Sequence, residues 1–498
     1  MKLLKLCEYA GLSCPEHLED IEVCGVTASS EKVKNGYVFV CINGRCFDGH
    51  RYIDDALEKG AVAVIIENKD YQGKRTVFSG NSRKTLSLML DAMCDTPSKK
   101  MRFIGVTGTN GKTSVSTMLK NILDAANIPC GLIGTVKCVS LGTGIEKRAD
   151  DPLSNMTTPD PEQLYPMLEQ MAEDGVEYVI MEATSHALFY EKLAPIEFDI
   201  GVFTNLTQDH LDFHPSMEEY FKAKTKLFEK SRLALVNSDD IYGRKIQKFA
   251  PCTVKTCSVL SENSDFFAKN IKNMGVAGVE YTLKTSRYEF LLNCTVPGTF
   301  SVMNSLQAAS CALELGIDKE TVQNAFKNFG GVSGRLERVA LPDYADISVF
   351  IDYAHTPDAI ENLLQSAKGF RDAGQRIVLL FGCGGDRDKT KRAKMGKIAC
   401  ELADFVIVTS DNSRSEHPMD IISDILCGTD GKDNYITVLD RKKAIEYAIA
   451  KSLRGDIILL AGKGHERYEI NADGRSPFDE RAIVLSAFEK YFTRNRED

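Results

Sequence analysis

No run of 18 apolar residues occurs in the 498-residue chain, so the sequence predicts no membrane-spanning helix. The opening MKLLKLCEYAGLSC interrupts its apolar run with Lys5, Glu8 and Tyr9, which does not fit a signal-peptide core. Low-complexity tracts are missing as well, and with them any expectation of a fibre or a disordered tail. Lysines and arginines are scattered and the net charge is −9, so there is no basic patch for nucleic acid. A phosphate-bearing ligand therefore needs a local site. The fifteen cysteines never form a C-x-x-C pair, which disfavours a zinc cluster or a disulfide framework. Most of them read as reduced, small, buried hydrophobes of a cytoplasmic protein.

What is present is ordinary globular composition, 43% hydrophobic and 26% charged, over a length that suggests roughly three domains. GYVFVCI and AVAVIIE read as strands, with RYIDDALEKG as a short helix between them, and DTPSKK at 95–100 closes this first α/β unit. RFIGVT, VEYVIMEA, FDIGVFTN and LALVNSDD then alternate with helical stretches, the pattern of a mainly parallel sheet covered on both faces. Residues 258–300 are mixed and β-rich, an antiparallel edge. After GGVSGRLERV the alternation restarts with ISVFIDYA, RIVLLFG, DFVIVTS, YITVLD and DIILLAGKG. The expected fold is α/β in three domains: a small α/β domain over 1–99, a P-loop ATPase-like domain over 100–332 and a Rossmann-like doubly wound domain over 333–498. The polar clusters DYAHTPD, GCGGDRD, SDNSRSE and GKGHE all follow strands of the last domain, where ligands gather in open parallel sheets.

FIGVTGTNGKTSVSTML, residues 103–119, lacks one thing a standard P-loop needs. The pattern G-x-x-x-x-G-K-[ST] requires glycine at 106, and Val106 stands there. The loop still follows a strand and opens a helix, so its N–H groups, Lys112 and Thr113 suit phosphate and Mg²⁺. A plain strand-to-helix turn is the alternative. Glu182 and His186 in IMEATSHAL, and Asp209, His210, Asp212 and His214 in FTNLTQDHLDFH, stand just past strands. Glu182 and His210 are candidate metal contacts, with hydrogen-bonded structural histidines as the other reading.

Taken together, TGTNGKTS, MEATSHAL, TNLTQDHLDFH, GTFSVMNSLQA, SGRLE, DYAHTPDA, FGCGGDRDK and LAGKGHE resemble the Mur ligase family, over essentially the whole chain and in order. The likeness is strongest to the members that add the third residue to the UDP-N-acetylmuramoyl peptide. The family's shorter loop, G-x-x-G-K-[ST], fits Gly108 to Thr113 without a gap. The resemblance implies an ATP-dependent amide-forming ligase of peptidoglycan precursor synthesis, a cytoplasmic monomer using Mg²⁺ and an acyl phosphate. Its first domain would take the nucleotide sugar, its second ATP and its third the amino acid. ATP would meet Gly108, Thr109, Asn110, Gly111, Lys112, Thr113 and Ser114, together with Asn304, Arg335, Asp352 and His355. Lys112, Glu182, His210 and Lys224 would be catalytic. Metal would be held by Thr113, Glu182, His210 and Lys224, the last as an N6-carboxylysine carbamate. UDP-N-acetylmuramoyl-L-alanyl-D-glutamate would use Ser29, Thr157, Thr158 and Thr184, then Tyr190 and Lys192.

The sequence departs from the family pattern in three places. The usual Asp-Ser-Arg near position 29 reads ASS, Tyr190 and Lys192 replace a frequent Gln and Arg, and Ser413 replaces the proline of D-N-P-R. Meso-diaminopimelate would meet Arg387, Asp411, Asn412, Ser413, Arg414, Gly462 and Glu466. The fork of Arg414 suits the distal carboxylate, which L-lysine lacks. L-lysine or another diamine, and a regulatory ATPase on the same scaffold, stay open as alternatives.

Overall fold

The computed structural model describes residues 1–44, 47–69, 71, 73–135, 138–139, 144–145, 156–207, 209, 213–342 and 344–493. By compactness the chain divides into two units. One comprises 1–258 with 307–317, the other 259–306 with 318–498.

The first unit begins with a four-stranded parallel sheet, β1 (Gly25–Thr27), β2 (Tyr37–Val40), β3 (Ala63–Ile66) and β4 (Thr76–Phe78), in that spatial order. Val38, Phe39, Val40 and all of β3 are buried, which is why these strands read as unbroken apolar runs rather than alternating ones. Helix Ser82–Met93 is capped by Asn81, whose side chain accepts from Lys84 N at 3.0 Å. It joins helix Pro161–Glu173 in one core, Leu86 and Met89 with Leu164 and Leu168.

A larger sheet follows, with β5 (Arg102–Thr107), β6 (Cys130–Ile133), β7 (Cys138–Val139), β8 (Gly144–Ile145), β9 (Tyr178–Glu182), β10 (Phe198–Phe203), β11 (Ser231–Asn237) and β12 (Thr253–Ser258). Within this unit the order is β12-β11-β10-β5-β9-β6-β7-β8, parallel from β12 to β6. The chain leaves β5 toward β6 and β9 on one side and returns as β10 on the other. The carboxyl end of β5 is therefore a topological switch point, where a crevice opens. The glycine loop begins there.

In the second unit β13 (Phe266–Asn273), β14 (Val279–Lys284) and β15 (Glu289–Cys294) form an antiparallel meander, as expected for 258–300. Helix Phe300–Glu314 follows. The doubly wound sheet contains β16 (Glu337–Arg338), β17 (Ser348–Asp352), β18 (Ile377–Phe381), β19 (Phe405–Val408), β20 (Tyr435–Thr437) and β21 (Ile457–Ala461), in the order β16-β17-β21-β18-β19-β20. Only β16 is antiparallel to its neighbour. Phe350, Leu379 and Leu459 pack on one face, and Val349, Leu380 and Leu460 on the other. A hairpin of β22 (Tyr468–Asn471) and β23 (Gly474–Pro477) follows β21. Among the described residues no helix is long and apolar enough to cross a membrane.

Candidate active site

Three adjacent strands of the first unit, β9, β5 and β10, deliver their carboxyl ends to one place. Gly108 has φ +150°, and a Cβ there would lie 1.9 Å from Thr204 Oγ1, so only glycine lets the loop pass this close to β10. Thr204 Oγ1 donates to Asn110 O at 2.6 Å, and Asn205 Oδ1 accepts from Asn110 N at 2.9 Å. Gly111, at φ +86°, opens helix Lys112–Ala125 with no side-chain cap competing for its first N–H groups. Lys112 Nζ folds back onto its own loop, donating to Gly108 O at 3.0 Å and Thr109 O at 2.9 Å.

Glu182, the last residue of β9, is buried. Its Oε1 accepts from Thr135 N at 2.9 Å, while Oε2 accepts from Thr113 Oγ1 at 3.1 Å and Thr135 Oγ1 at 3.0 Å. Gly134 leaves it room, since a Cβ there would lie 2.3 Å from Glu182 Oε1. Thr135 Oγ1 also meets Thr157 Oγ1 at 3.1 Å, and Thr158 Oγ1 donates to Glu182 O at 2.7 Å. One carboxylate and several hydroxyls are hard oxygen donors of the kind Mg²⁺ selects. Among the described residues no group of three or more His, Cys, Asp or Glu side chains stands ready for a metal.

His210 and Asp212 lie outside the described residues. His186 and His214 sit in an aromatic cluster: the His186 ring centroid is 3.9 Å from that of Phe213, and His214 is 5.0 Å from Tyr220. Lys224, on helix Met217–Glu229, is 1% exposed and donates to Gly108 O at 2.8 Å. Burial, with repulsion from Lys112 added, holds its ammonium well below the ordinary lysine range, against a smaller opposing pull from Asp209.

Beside this cluster, and wholly within the first unit, lies a cavity of about 830 Å³. Ser29, Thr157, Thr158, Thr184, Tyr190 and Lys192 all line it, so the dispersed nucleotide-sugar candidates do converge. Thr184 caps helix Ser185–Phe189 and meets Thr158 Oγ1 at 3.1 Å. Lys192 Nζ is 2.6 Å from Asp160 Oδ1. Sequence reasoning missed four charged residues of this wall, Asp160 among them. The Arg83 guanidinium lies 4.2 Å from the Tyr190 ring centroid, and Lys32 pairs with Glu162 at 2.8 Å. Glu162 in turn accepts from Thr27 Oγ1 and Ala28 N, fixing the turn that carries Ser29.

In the second unit, the segments after β17, β18, β19 and β21 meet. Asp352 accepts from Leu336 N at 2.7 Å and Ala354 N at 2.8 Å; burial raises its carboxyl above the ordinary range, opposed by Arg335. The Arg335 guanidinium is 5.1 Å from the Tyr353 ring centroid, and His355 Nδ1 meets Tyr353 O at 2.7 Å. Asn304 is buried on its helix. A Cβ at Gly384 would lie 3.0 Å from Arg414 Nη1 and 3.9 Å from Arg387 Cγ, so both arginines flank one glycine. Arg414, at φ +51°, donates to Gly385 O at 2.8 Å. Ser413 is buried.

Behind the arginines, Asn412 Nδ2 donates to Glu466 Oε2 at 2.8 Å and Asn412 Oδ1 accepts from Lys463 Nζ at 2.9 Å. Burial would raise the Asp411 carboxyl, but Lys463 at 3.6 Å and Arg441 at 4.0 Å outweigh it and hold it below the ordinary range. Burial first, and then Asp411, raise Glu466. Gly462, at φ +116°, admits Asp411 Oδ2, which a Cβ would meet at 2.5 Å. Lys463 was also missed by the sequence reading, although it stands inside GKGHE.

Comparison with known proteins gives three family-model matches: the Mur ligase family, catalytic domain, over residues 22–90; the Mur ligase middle domain over 106–312; and the Mur ligase, glutamate ligase domain, over 334–464. The UDP-N-acetylmuramoyl-L-alanyl-D-glutamate--2,6-diaminopimelate ligase of Clostridium perfringens is 41% identical over 479 residues, 95% of this chain and 96% of that protein. The ligase of the same name from Clostridioides difficile is also 41% identical, over 476 residues, with 95% and 96% covered. A solved structure with that ligase name superposes with a TM-score of 0.72 at 28% identity, covering 98% of this chain and 99% of the other.

Proposed function

The chain belongs to the Mur ligase family, and from that premise we propose that it joins meso-diaminopimelate to the D-glutamyl carboxylate of UDP-N-acetylmuramoyl-L-alanyl-D-glutamate, driven by ATP. The observation that carries the choice of amino acid is the pair of arginines at Gly384, with Asn412 and Glu466 behind them. A diamino diacid offers a carboxylate for the guanidinium forks and an ammonium for Glu466. L-lysine would leave an arginine unmatched, a loss of about 1–3 kcal/mol. Three domains, 1–99, 100–332 and 333–498, are proposed to take nucleotide sugar, ATP and amino acid respectively.

A carboxylate is a poor electrophile. Transfer of the terminal phosphoryl group from ATP to the D-glutamyl carboxylate gives an acyl phosphate, which the amine attacks with release of phosphate. In this reading the backbone N–H groups of 108–114 hold the ATP phosphates, and Lys112 swings from its loop carbonyls to the developing negative charge. Asn304, Arg335, Asp352 and His355 complete the nucleotide contacts. Thr113 and Glu182, with Lys224 and His210, would hold Mg²⁺, which neutralises phosphate charge when bound. Thr135, bonded to both Glu182 oxygens, fixes the carboxylate in place. Lys224 is suited to carbamylation because burial favours its neutral amine. That amine adds to CO₂, forming an N–C bond and releasing a proton, and the product is an anionic oxygen donor. Ser29, Thr157, Thr158, Thr184, Tyr190 and Lys192 would seat the nucleotide sugar in the 830 Å³ cavity. The proposed setting is the cytoplasm, with the enzyme acting as a monomer.

Phosphate release from ATP tests this reading. It should require both UDP-N-acetylmuramoyl-L-alanyl-D-glutamate and meso-diaminopimelate; steady ATP hydrolysis indifferent to both would replace the ligase with a regulatory ATPase.

A further inference from the structure

A serine at 413, in place of proline, widens the conformational freedom of the unbound loop. The fold holds that loop by other means. Glu416 Oε1 accepts from Asp386 N at 2.6 Å and from Arg392 Nη2 at 2.9 Å, and Oε2 accepts from Arg392 Nη1 at 3.0 Å. This is a two-pronged guanidinium–carboxylate pair, the most directional ion pair available to side chains. Lys389 adds a second cation, 3.0 Å from Glu416 Oε2. Arg392 is fully buried and also donates to Asp424 Oδ2 at 2.9 Å and Gly384 O at 3.3 Å.

Around this pair the segments 384–389 and 412–416 are stitched together. Ser415 Oγ donates to Asp386 Oδ1 at 2.6 Å, Ser415 N to Asp386 Oδ2 at 3.2 Å, and Gly385 N to Asn412 O at 2.9 Å. Asp386 at φ +54° and Arg414 at φ +51° both adopt the left-handed conformation, which non-glycine residues keep only under restraint from their surroundings. Each lies on one of the two stitched segments. Gly385 packs so closely on Ser413 that a Cβ would meet Ser413 O at 1.9 Å.

We propose that Glu416 and Arg392 are positioning residues for amino-acid selection: their pair locks segment 384–389 to segment 412–416, so that Arg387 and Arg414 present a preformed double fork to a ligand with two carboxylates. The inference rests on the ligase reading above. It assigns to an ion pair a stiffness of the kind that a proline at 413 would confer.

The test uses the full-length protein as wild type, Glu416→Gln, Ser415→Ala and the double variant Glu416→Gln/Ser413→Pro. Steady-state KM is measured for diaminopimelate, ATP and the nucleotide sugar, and amide hydrogen exchange is followed over 384–389 and 412–416. Glu416→Gln should raise KM for diaminopimelate about tenfold, with kcat and the other two KM values within about twofold, because only one ligand's seat is loosened. Exchange should rise in both segments together. Ser413→Pro in the Glu416→Gln background should recover part of the lost KM. Ser415→Ala, at an exposed bond, should give a smaller shift of the same kind and guards against a Glu416 variant that does not fold. Unchanged exchange would overturn the lock. Raised exchange with an unchanged KM, or a fall in kcat that carries every KM with it, would overturn the positioning role. Absence of any diamine-dependent turnover in the wild type would instead sink the ligase reading, and exchange would still decide whether the pair locks the segments.

Discussion

Lys224 and Lys463 are both buried, 1% and 0% exposed, yet their surroundings make them opposites. Lys463 Nζ has Asp411 Oδ1 at 3.6 Å, Asn412 Oδ1 at 2.9 Å and Tyr468 O at 3.0 Å. Lys224 donates to Gly108 O, lies 4.5 Å from the centroid of the Tyr220 ring and is repelled by Lys112. Burial alone does not decide what a lysine does. With a carboxylate and two oxygen acceptors around it, Lys463 ties its neighbours together; with burial and Lys112 outweighing the pull of Asp209, Lys224 is driven toward its neutral form. On the proposed reading, one belongs to the amino-acid scaffold and the other is the residue to be carbamylated.

The comparison breaks most visibly at Lys224. Lys224→Ala should lower kcat by about three orders of magnitude, on the scale of losing a preorganised charge partner. Wild type incubated with ¹³C-bicarbonate should show a carbamate carbon signal that the variant lacks. A pH series sharpens the point in CO₂-free buffer. Between the depressed folded value and the unfolded value near 10.5, the unfolded chain binds a proton that the folded chain has released. Lys224's contribution to unfolding free energy therefore rises with pH across that window, and Lys224→Met should flatten the rise.

Lys463→Met comes next, with an expected loss of about 3 kcal/mol of stability, read by denaturant unfolding, because buried Asp411 loses its nearer cation and keeps Arg441 at 4.0 Å. Arg414→Ala should cost about 2 kcal/mol of selectivity, narrowing the diaminopimelate-over-lysine ratio in kcat/KM roughly thirtyfold. Lys192→Ala should be mildest, raising KM for the nucleotide sugar about fivefold with kcat held, because Lys192 is already paired with Asp160.

The same contrast explains what was legible in the sequence. Contiguous chemistry was readable: Gly108 to Thr113 announces a phosphate loop even with Val106 in the wrong place, because strand, glycine and Lys-Thr follow one another. The four polar clusters of the second unit were readable because apolar runs end at them. Thr135 and Arg83 were not, since each stands alone in its segment and acquires meaning only when β6 lies beside β9, or when helix Ser82–Met93 brings Arg83 over Tyr190. Glu416 and Arg392 lie 24 residues apart, and nothing local marks them as a pair. Lys463 was overlooked because its side-chain partners, Asp411 and Asn412, come from the loop after β19, some fifty residues away in sequence. Long-range pairing of polar side chains is the part that spacing rules do not reach.

The most direct test of the account is a competition assay. The enzyme would be given ATP, Mg²⁺, UDP-N-acetylmuramoyl-L-alanyl-D-glutamate and equal concentrations of meso-diaminopimelate and L-lysine, and the tripeptide product weighed by mass spectrometry. The arginine pair at Gly384 predicts a product carrying diaminopimelate, with the lysine adduct below about a tenth of it. A product dominated by lysine would contradict the role given to Arg387 and Arg414 while leaving the ligase chemistry in place.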